Sequence, residues 1–104
     1  MAICHIIDDP SRTTEDYEVI AAHVRDSGPT PPDGCRLALL GRERAITVWD
    51  APEDRDRFHS ERLGPAYRAA GRSLDDVAHT EFDVEMLVAG DLVGKAQHRV
   101  GAES

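Results

Sequence analysis

The stretch Ile46–Gly71, "ITVWDAPEDRDRFHSERLGPAYRAAG", decides the fold of this chain. It opens as a β-branched apolar strand and closes that strand on Trp49, the one tryptophan among 104 residues. Pro52 then suits the first turn of a helix, where a missing N–H leaves no bond unmade. Glu53, Asp54 and Asp56 sit near the positive end of the same helix. The spacing predicts that this helix runs to about Leu63, that Gly64-Pro65 interrupts it, and that "AYRAAG" adds a further turn.

Working outward, "CRLALL" and "RAITVW" flank Gly41 and its polar neighbours and read as a hairpin. "AICHII" (Ala2–Ile7) is a short apolar strand closed by Asp8, Asp9 and Pro10. "TTEDYEVIAAHVRDSG" reads as a helix capped by Thr13, with Asp16 in the capping-box position. Its Tyr17, Ile20, Ala21 and Val24 recur on one stripe, Gly28 ends it, and "PTPPDG" is a stiff connector. "RSLDDVAH" reads as a loop. "TEFDVEMLVAG" reads as the last strand, with Phe82, Val84, Met86 and Val88 on one face and Glu81, Asp83 and Glu85 on the other. The order β-α-β-β-α-β defines an α+β, ferredoxin-like domain over residues 1–90 with a four-stranded antiparallel sheet. Right-handed crossovers put its first and third strands in the middle. Residues 91–104 have no strong period and are read as an irregular tail available to a partner subunit.

Helices can cover only one face of such a sheet, yet the first three strands are apolar on both faces. A second copy packed sheet against sheet is the expected cover, so the chain is expected to be a homodimer. Twenty acidic against twelve basic residues give a net charge of −8, with no basic cluster to neutralise phosphates. A nucleic-acid or anionic-membrane surface is therefore not expected. No apolar run reaches the roughly 20 residues of a membrane span, and the acidic pair Asp8-Asp9 comes too early for a secretory signal. Cys4 and Cys35 form neither a disulfide framework nor a zinc motif, which together with the missing signal implies a cytoplasmic protein with reduced thiols.

The Trp-acid pair that ends the third strand, the aromatic Phe58 on the helix after it, and the "RLGPA" ending (Arg62–Ala66) resemble the dimeric α/β-barrel superfamily. Within it the chain is similar to the small proteins grouped with antibiotic-biosynthesis monooxygenases, over roughly residues 2–89. That family includes cofactor-free oxygenases of polycyclic phenols, polyketide cyclases, lactone isomerases and haem-degrading enzymes. The resemblance implies a pocket between sheet and helices in which Trp49, Phe58, Arg62 and Arg68 bind substrate. In the cofactor-free oxygenases an Asn stands four residues before the Trp; here that position is Ala45, which disfavours an oxygenase mechanism of that type. In the haem-degrading relatives the helix Trp corresponds to Phe58, the iron ligand falls near Tyr67 or Arg68, and the Asn of the first strand has no counterpart beside Cys4 and His5. Haem degradation is the weakest of these readings.

The residues themselves offer acid–base chemistry. His5 lies midway along a central strand, where burial beside a carboxylate of the neighbouring last strand, Glu85 or Asp83, would tune it as a general acid or base. His59 and Tyr67 on the second helix are the other catalytic candidates, and Glu85 and Arg62 the polar partners. His23, His79 and His98 lack metal-ligand spacing, so no metal is expected. Trp49 has an alternative role as packing between strand and helix. No GxGxxG, GxSxG or P-loop is present, so no nucleotide or flavin cofactor is expected. Two function classes follow. One is a cofactor-independent enzyme that cyclises, isomerises or oxygenates a small hydrophobic, aromatic or polyketide-like metabolite. The other is a non-catalytic ligand-binding or accessory dimer.

Overall fold

The computed structural model describes residues 1–88; the tail at 91–104 lies outside the described residues. Strand β1 (Ile3–Asp8) is central and pairs antiparallel with both β3 (Arg44–Trp49) and β4 (Ala78–Asp83), while β2 (Cys35–Leu40) pairs with the far side of β3. The sheet order β2-β3-β1-β4, with helices in both crossovers, is compatible with the ferredoxin-like arrangement.

Helix α1 (Thr14–Asp26) carries the predicted capping box. The Thr13 hydroxyl accepts from the Asp16 amide at 3.0 Å and the Asp16 carboxylate accepts from the Thr13 amide at 3.1 Å, satisfying two donors that the first helical turn leaves without partners. Ile20 buries its side chain, with Val24 beside it, against Ala66 and Tyr67 from the second crossover. The hairpin of β2 and β3 has the predicted bounds, and it holds a bulge that leaves Arg36 without a register partner, so that Cys35 still faces Trp49.

The second crossover departs from the sequence reading in one informative way. Gly64-Pro65 does not interrupt the helix. Helix α2 (Pro52–Phe58) passes into a π turn (His59–Leu63) and continues as α3 (Gly64–Ala69). Proline in a helix interior collides with the carbonyl four residues back and removes an N–H from the ladder. A wider turn just before it moves that carbonyl aside, and Pro65 then occupies the opening turn of α3. Glycine completes the arrangement, because a Cβ built on Gly64 would lie 2.9 Å from the His59 carbonyl oxygen.

The last strand also begins earlier than its alternation suggested. It spans Ala78–Asp83 after a short 3-10 turn at Leu74–Asp76, and Glu85 to Val88 lie beyond it. In this register Glu81 is opposite His5 and His79 opposite Ile7. Side chains of Ile3, His5 and Ile7 share the helix-covered face with Trp49 and Cys35. Cys4, Ile6, Ile46, Val48, Leu39 and Phe82 share the other face by alternation. Leu39 and Phe82 are each 54% exposed there.

The π turn makes Gly64 a discriminating position. In an ordinary helix interior, glycine to alanine stabilises by about 1 kcal/mol. Here Gly64→Ala is expected to lower stability instead, because the new methyl group meets a backbone carbonyl that cannot move without disturbing the turn. Urea denaturation of the variant against the parent checks the sign.

Candidate functional site

Three imidazoles meet beneath the π turn. His5 rises from β1, His79 from β4 and His59 from the start of the π turn itself. The ring centroids are 4.9 Å apart for His5 and His59, 5.1 Å for His5 and His79, and 6.1 Å for His59 and His79. Each is there for a local reason. His5 shares the helix face of the central strand with Ile3 and Ile7, and His79 follows from the early start of β4. His59 is delivered by α2, whose regular geometry sets it one turn after Arg55 on the same helix face, just before the wide turn that accommodates Pro65.

Arg55, one helical turn before His59, closes the cluster. Its Nη1 lies 2.6 Å from His5 Nδ1 and 2.7 Å from Glu81 Oε1, while its Nε donates to Asp56 Oδ1 at 2.7 Å. His5 Nε2 lies 2.9 Å from His79 Nδ1, and His79 Nε2 lies 2.9 Å from the Leu74 carbonyl oxygen. His5 itself is only 5% exposed. Burial, and next the Arg55 cation, lowers its pKa to about 4. Burial, with His5 and Arg55 as further causes, lowers that of His59 to about 3. Glu81 is held below the ordinary carboxylate range by its bond from Arg55. At neutral pH the cluster is therefore two neutral imidazoles, His5 and His59, beside a guanidinium–carboxylate pair.

His59 differs from the other two: among the described residues it has no hydrogen-bond partner. It lines a cleft of about 360 Å³ together with His79, Leu74, Ser73, Gly64 and Arg68. Asp56, Ser60 and Asp75 complete a lining of mixed polar and apolar surface. With neither ring nitrogen hydrogen-bonded among the described residues, His59 is free to accept a hydrogen bond from a bound molecule, and a proton where a bound anion beside it offsets the effect of burial.

The other sequence-predicted residues are distributed around this cleft rather than gathered in it. Arg68 lines it beside His59. Trp49 is fully buried, packs with Ile3 and Cys35, and has the Phe58 ring at 5.4 Å. Its indole N–H donates to the Thr47 hydroxyl at 2.8 Å, so the polar edge of the ring is satisfied inside the core. Phe58 and Arg62 line a separate cleft of about 300 Å³. There Arg62 donates to the Val24 and Pro29 carbonyls and to the Ser27 hydroxyl, at 2.6, 2.8 and 3.1 Å, which caps the end of α1. Glu85 lies past the end of β4, and the carboxylate beside His5 is Glu81. Tyr67 is 1% exposed, its hydroxyl accepting from Arg12 Nη1 at 3.0 Å, and burial pushes its phenol up. With Tyr67 enclosed and Arg68 lacking a ligating atom, these residues do not fit an iron ligand for haem. Among the described residues no group of three or more His, Cys, Asp or Glu is arranged to hold a metal ion. Burial pushes the Cys4 and Cys35 thiols up, which suits packing rather than nucleophilic attack.

Sequence reasoning missed Arg55 as the partner of His5, and His79 as the second cleft imidazole. The signal for Arg55 was its four-residue spacing from His59, which places both on one helix face. For His79 the signal was weaker, because it precedes the alternating run and looks like loop.

In comparisons with known proteins, no family model, curated protein or solved structure matches this chain.

The cluster has a consequence for stability against pH. Two histidines whose folded pKa values lie below 6.5 bind fewer protons in the native state than in the unfolded one, between pH 6.5 and about pH 4. Unfolding is then favoured as pH falls through that window, and stability rises with pH across it. Thermal unfolding at pH 7 and pH 4.5 is expected to show a loss on the order of 1–3 kcal/mol at the lower pH. The double variant His5→Gln/His59→Gln should flatten that dependence.

Proposed function

We propose that this protein is a small cofactor-independent enzyme that moves a proton on an oxygen-bearing aromatic or polyketide-like metabolite held in the cleft beneath the π turn. One observation carries the reading: His59 faces that cleft as a neutral imidazole without a hydrogen-bond partner among the described residues. In the free protein its lowered pKa makes it a weak base, so it accepts a proton from a carbon acid next to a carbonyl only where the enolate that forms stands beside the ring and stabilises the imidazolium. Cyclisation and isomerisation both begin with that step. The lining mixes polar and apolar surface, which suits a molecule carrying carbonyl or phenol oxygens on an apolar frame, and Arg68 is placed to pair with an oxygen that gains negative charge. His5 and Arg55 support His59 from below, and Trp49, Phe58 and Tyr67 build the core that positions the helix above it.

The same reading places the chain on the dimeric α/β-barrel scaffold that the sequence resembles. The uncovered sheet face supports it: Leu39 and Phe82 stand half exposed beside buried Cys4 and Val48. A second copy of this face is its natural complement, because each apolar surface would cover the other. Light scattering behind size exclusion is expected to return a dimer mass that falls to the monomer mass in Leu39→Asp/Phe82→Asp. A monomer at all concentrations for the parent protein would sink the dimer.

The catalytic reading is tested with a panel of polycyclic phenols and polyketide-like lactones in deuterium oxide, following loss of the acidic C–H signal by NMR. Exchange of one ligand class faster than in buffer, slowed about 100-fold or more in His59→Gln, is the expected result. Saturable binding with exchange no faster than in buffer would instead make the protein a ligand-binding accessory dimer. No binding across the panel would overturn the substrate class.

A further inference from the structure

The hydrogen bonds in the histidine cluster have one consistent direction, and it can be worked out from the ends. A guanidinium only donates, so His5 Nδ1, at 2.6 Å from Arg55 Nη1, must be an acceptor. A neutral imidazole that accepts at Nδ1 carries its proton on Nε2. His5 Nε2–H therefore donates to His79 Nδ1 at 2.9 Å. His79 Nδ1 is then the acceptor, and its proton also stands on Nε2, from which it donates to the Leu74 carbonyl at 2.9 Å. The far end agrees with the near end, since a carbonyl oxygen only accepts. Arg55, His5, His79 and Leu74 thus form a chain in which each tautomer is set by its neighbour.

We propose that Arg55 and His5 are positioning residues that lock His79 as a fixed N–H donor on the wall of the cleft, opposite the uncommitted His59. His79 and Leu74 both line the cleft. An entering ligand oxygen can take the place of the Leu74 carbonyl and receive the His79 Nε2–H. Two histidines of one cleft then hold opposite roles: His59 accepts a proton, and His79 donates a hydrogen bond to the oxygen on which charge develops. This assignment rests on the proton-transfer reading above for its purpose, but the tautomers do not depend on it.

The groups facing His5 make the lock specific. Arg55 and Asp56 reach it from α2, His59 from the π turn, and His79 and Glu81 from β4. Adding a proton to His5 Nδ1 would set an N–H against the Arg55 N–H. The ring would have to exchange Arg55 for Glu81, whose Oε1 is 3.8 Å away. Lysine at position 55 can still donate to Nδ1. Leucine cannot, and it leaves both His5 tautomers open.

Long-range proton–nitrogen correlation spectra of histidine-labelled protein, without ligand, test the assignment directly. At pH 7.5 His5 and His79 are each expected as a single Nε2–H tautomer. Arg55→Leu should raise the His5 titration midpoint by about one pH unit or more, a tenfold change in its protonation constant, and turn both signals into tautomer mixtures. Arg55→Lys should keep the parent pattern. An Nδ1–H form or a mixture at His5 or His79 in the parent protein would overturn the lock, as would a folded Arg55→Leu protein with an unmoved His5 midpoint. If Arg55→Leu does not fold, the parent spectrum decides alone. None of these outcomes touches the role of His59, which the exchange experiment tests separately.

Discussion

The bond from the Gly64 N–H to the His59 carbonyl spans five residues instead of four, and much of the molecule depends on it. One extra residue in a helix rotates everything after it by about 100° relative to everything before it. With that rotation, Ala66 and Tyr67 turn inward onto Ile20, and Arg68 lines the cleft. Without it, Pro65 would stand in a regular helix and break it. Glycine and proline together are thus a way of placing a wide turn just past the α2 face that carries Arg55 and His59.

What sits below is electrostatically unusual for so small a domain. His5 is buried between a guanidinium and two other imidazoles, so burial and the nearby cation both act against its protonated form. The acid of the cluster, Glu81, is committed to Arg55 and sits at the exposed edge strand. The carboxylate therefore neutralises the arginine rather than the histidine. That division keeps His5 uncharged, and it separates this cluster from a His–Glu pair tuned upward for acid catalysis.

Most of the fold was legible in the sequence, because its signals are local. The Thr13–Asp16 capping box, the two hairpin strands and the four-strand order each follow from residues within a few positions of one another. The site was legible in part. His5 and His59 stand out by type and by their elements. Their partners do not, since Arg55 and Glu81 look like members of a solvated charged row until the register of β4 is known. That register was misread because Ala78 and His79 do not extend the apolar–acidic alternation that begins after them. The π turn was hidden for a different reason: Gly-Pro signals the loss of regular hydrogen bonds, and nothing in the local sequence distinguishes a widened turn from a broken helix. Trp49 was readable in hindsight from Thr47, two residues earlier on the same face, which supplies the acceptor that lets an indole N–H be buried.

Arg62 joins two parts of the chain that are 33 to 38 residues apart, holding from the π turn one carbonyl of the last turn of α1 at Val24, the Ser27 hydroxyl that follows it, and the Pro29 carbonyl at the start of the proline connector. Helix ends normally fray on their own. Here, loosening the final turn of α1 strands three hydrogen bonds of a guanidinium whose own helix bears the cleft. The two crossovers are therefore mechanically coupled, and motion at the end of the first reaches the cleft without crossing the sheet. A ligand seated between Arg62 and the proline connector would act on that coupling, at a distance from the histidines.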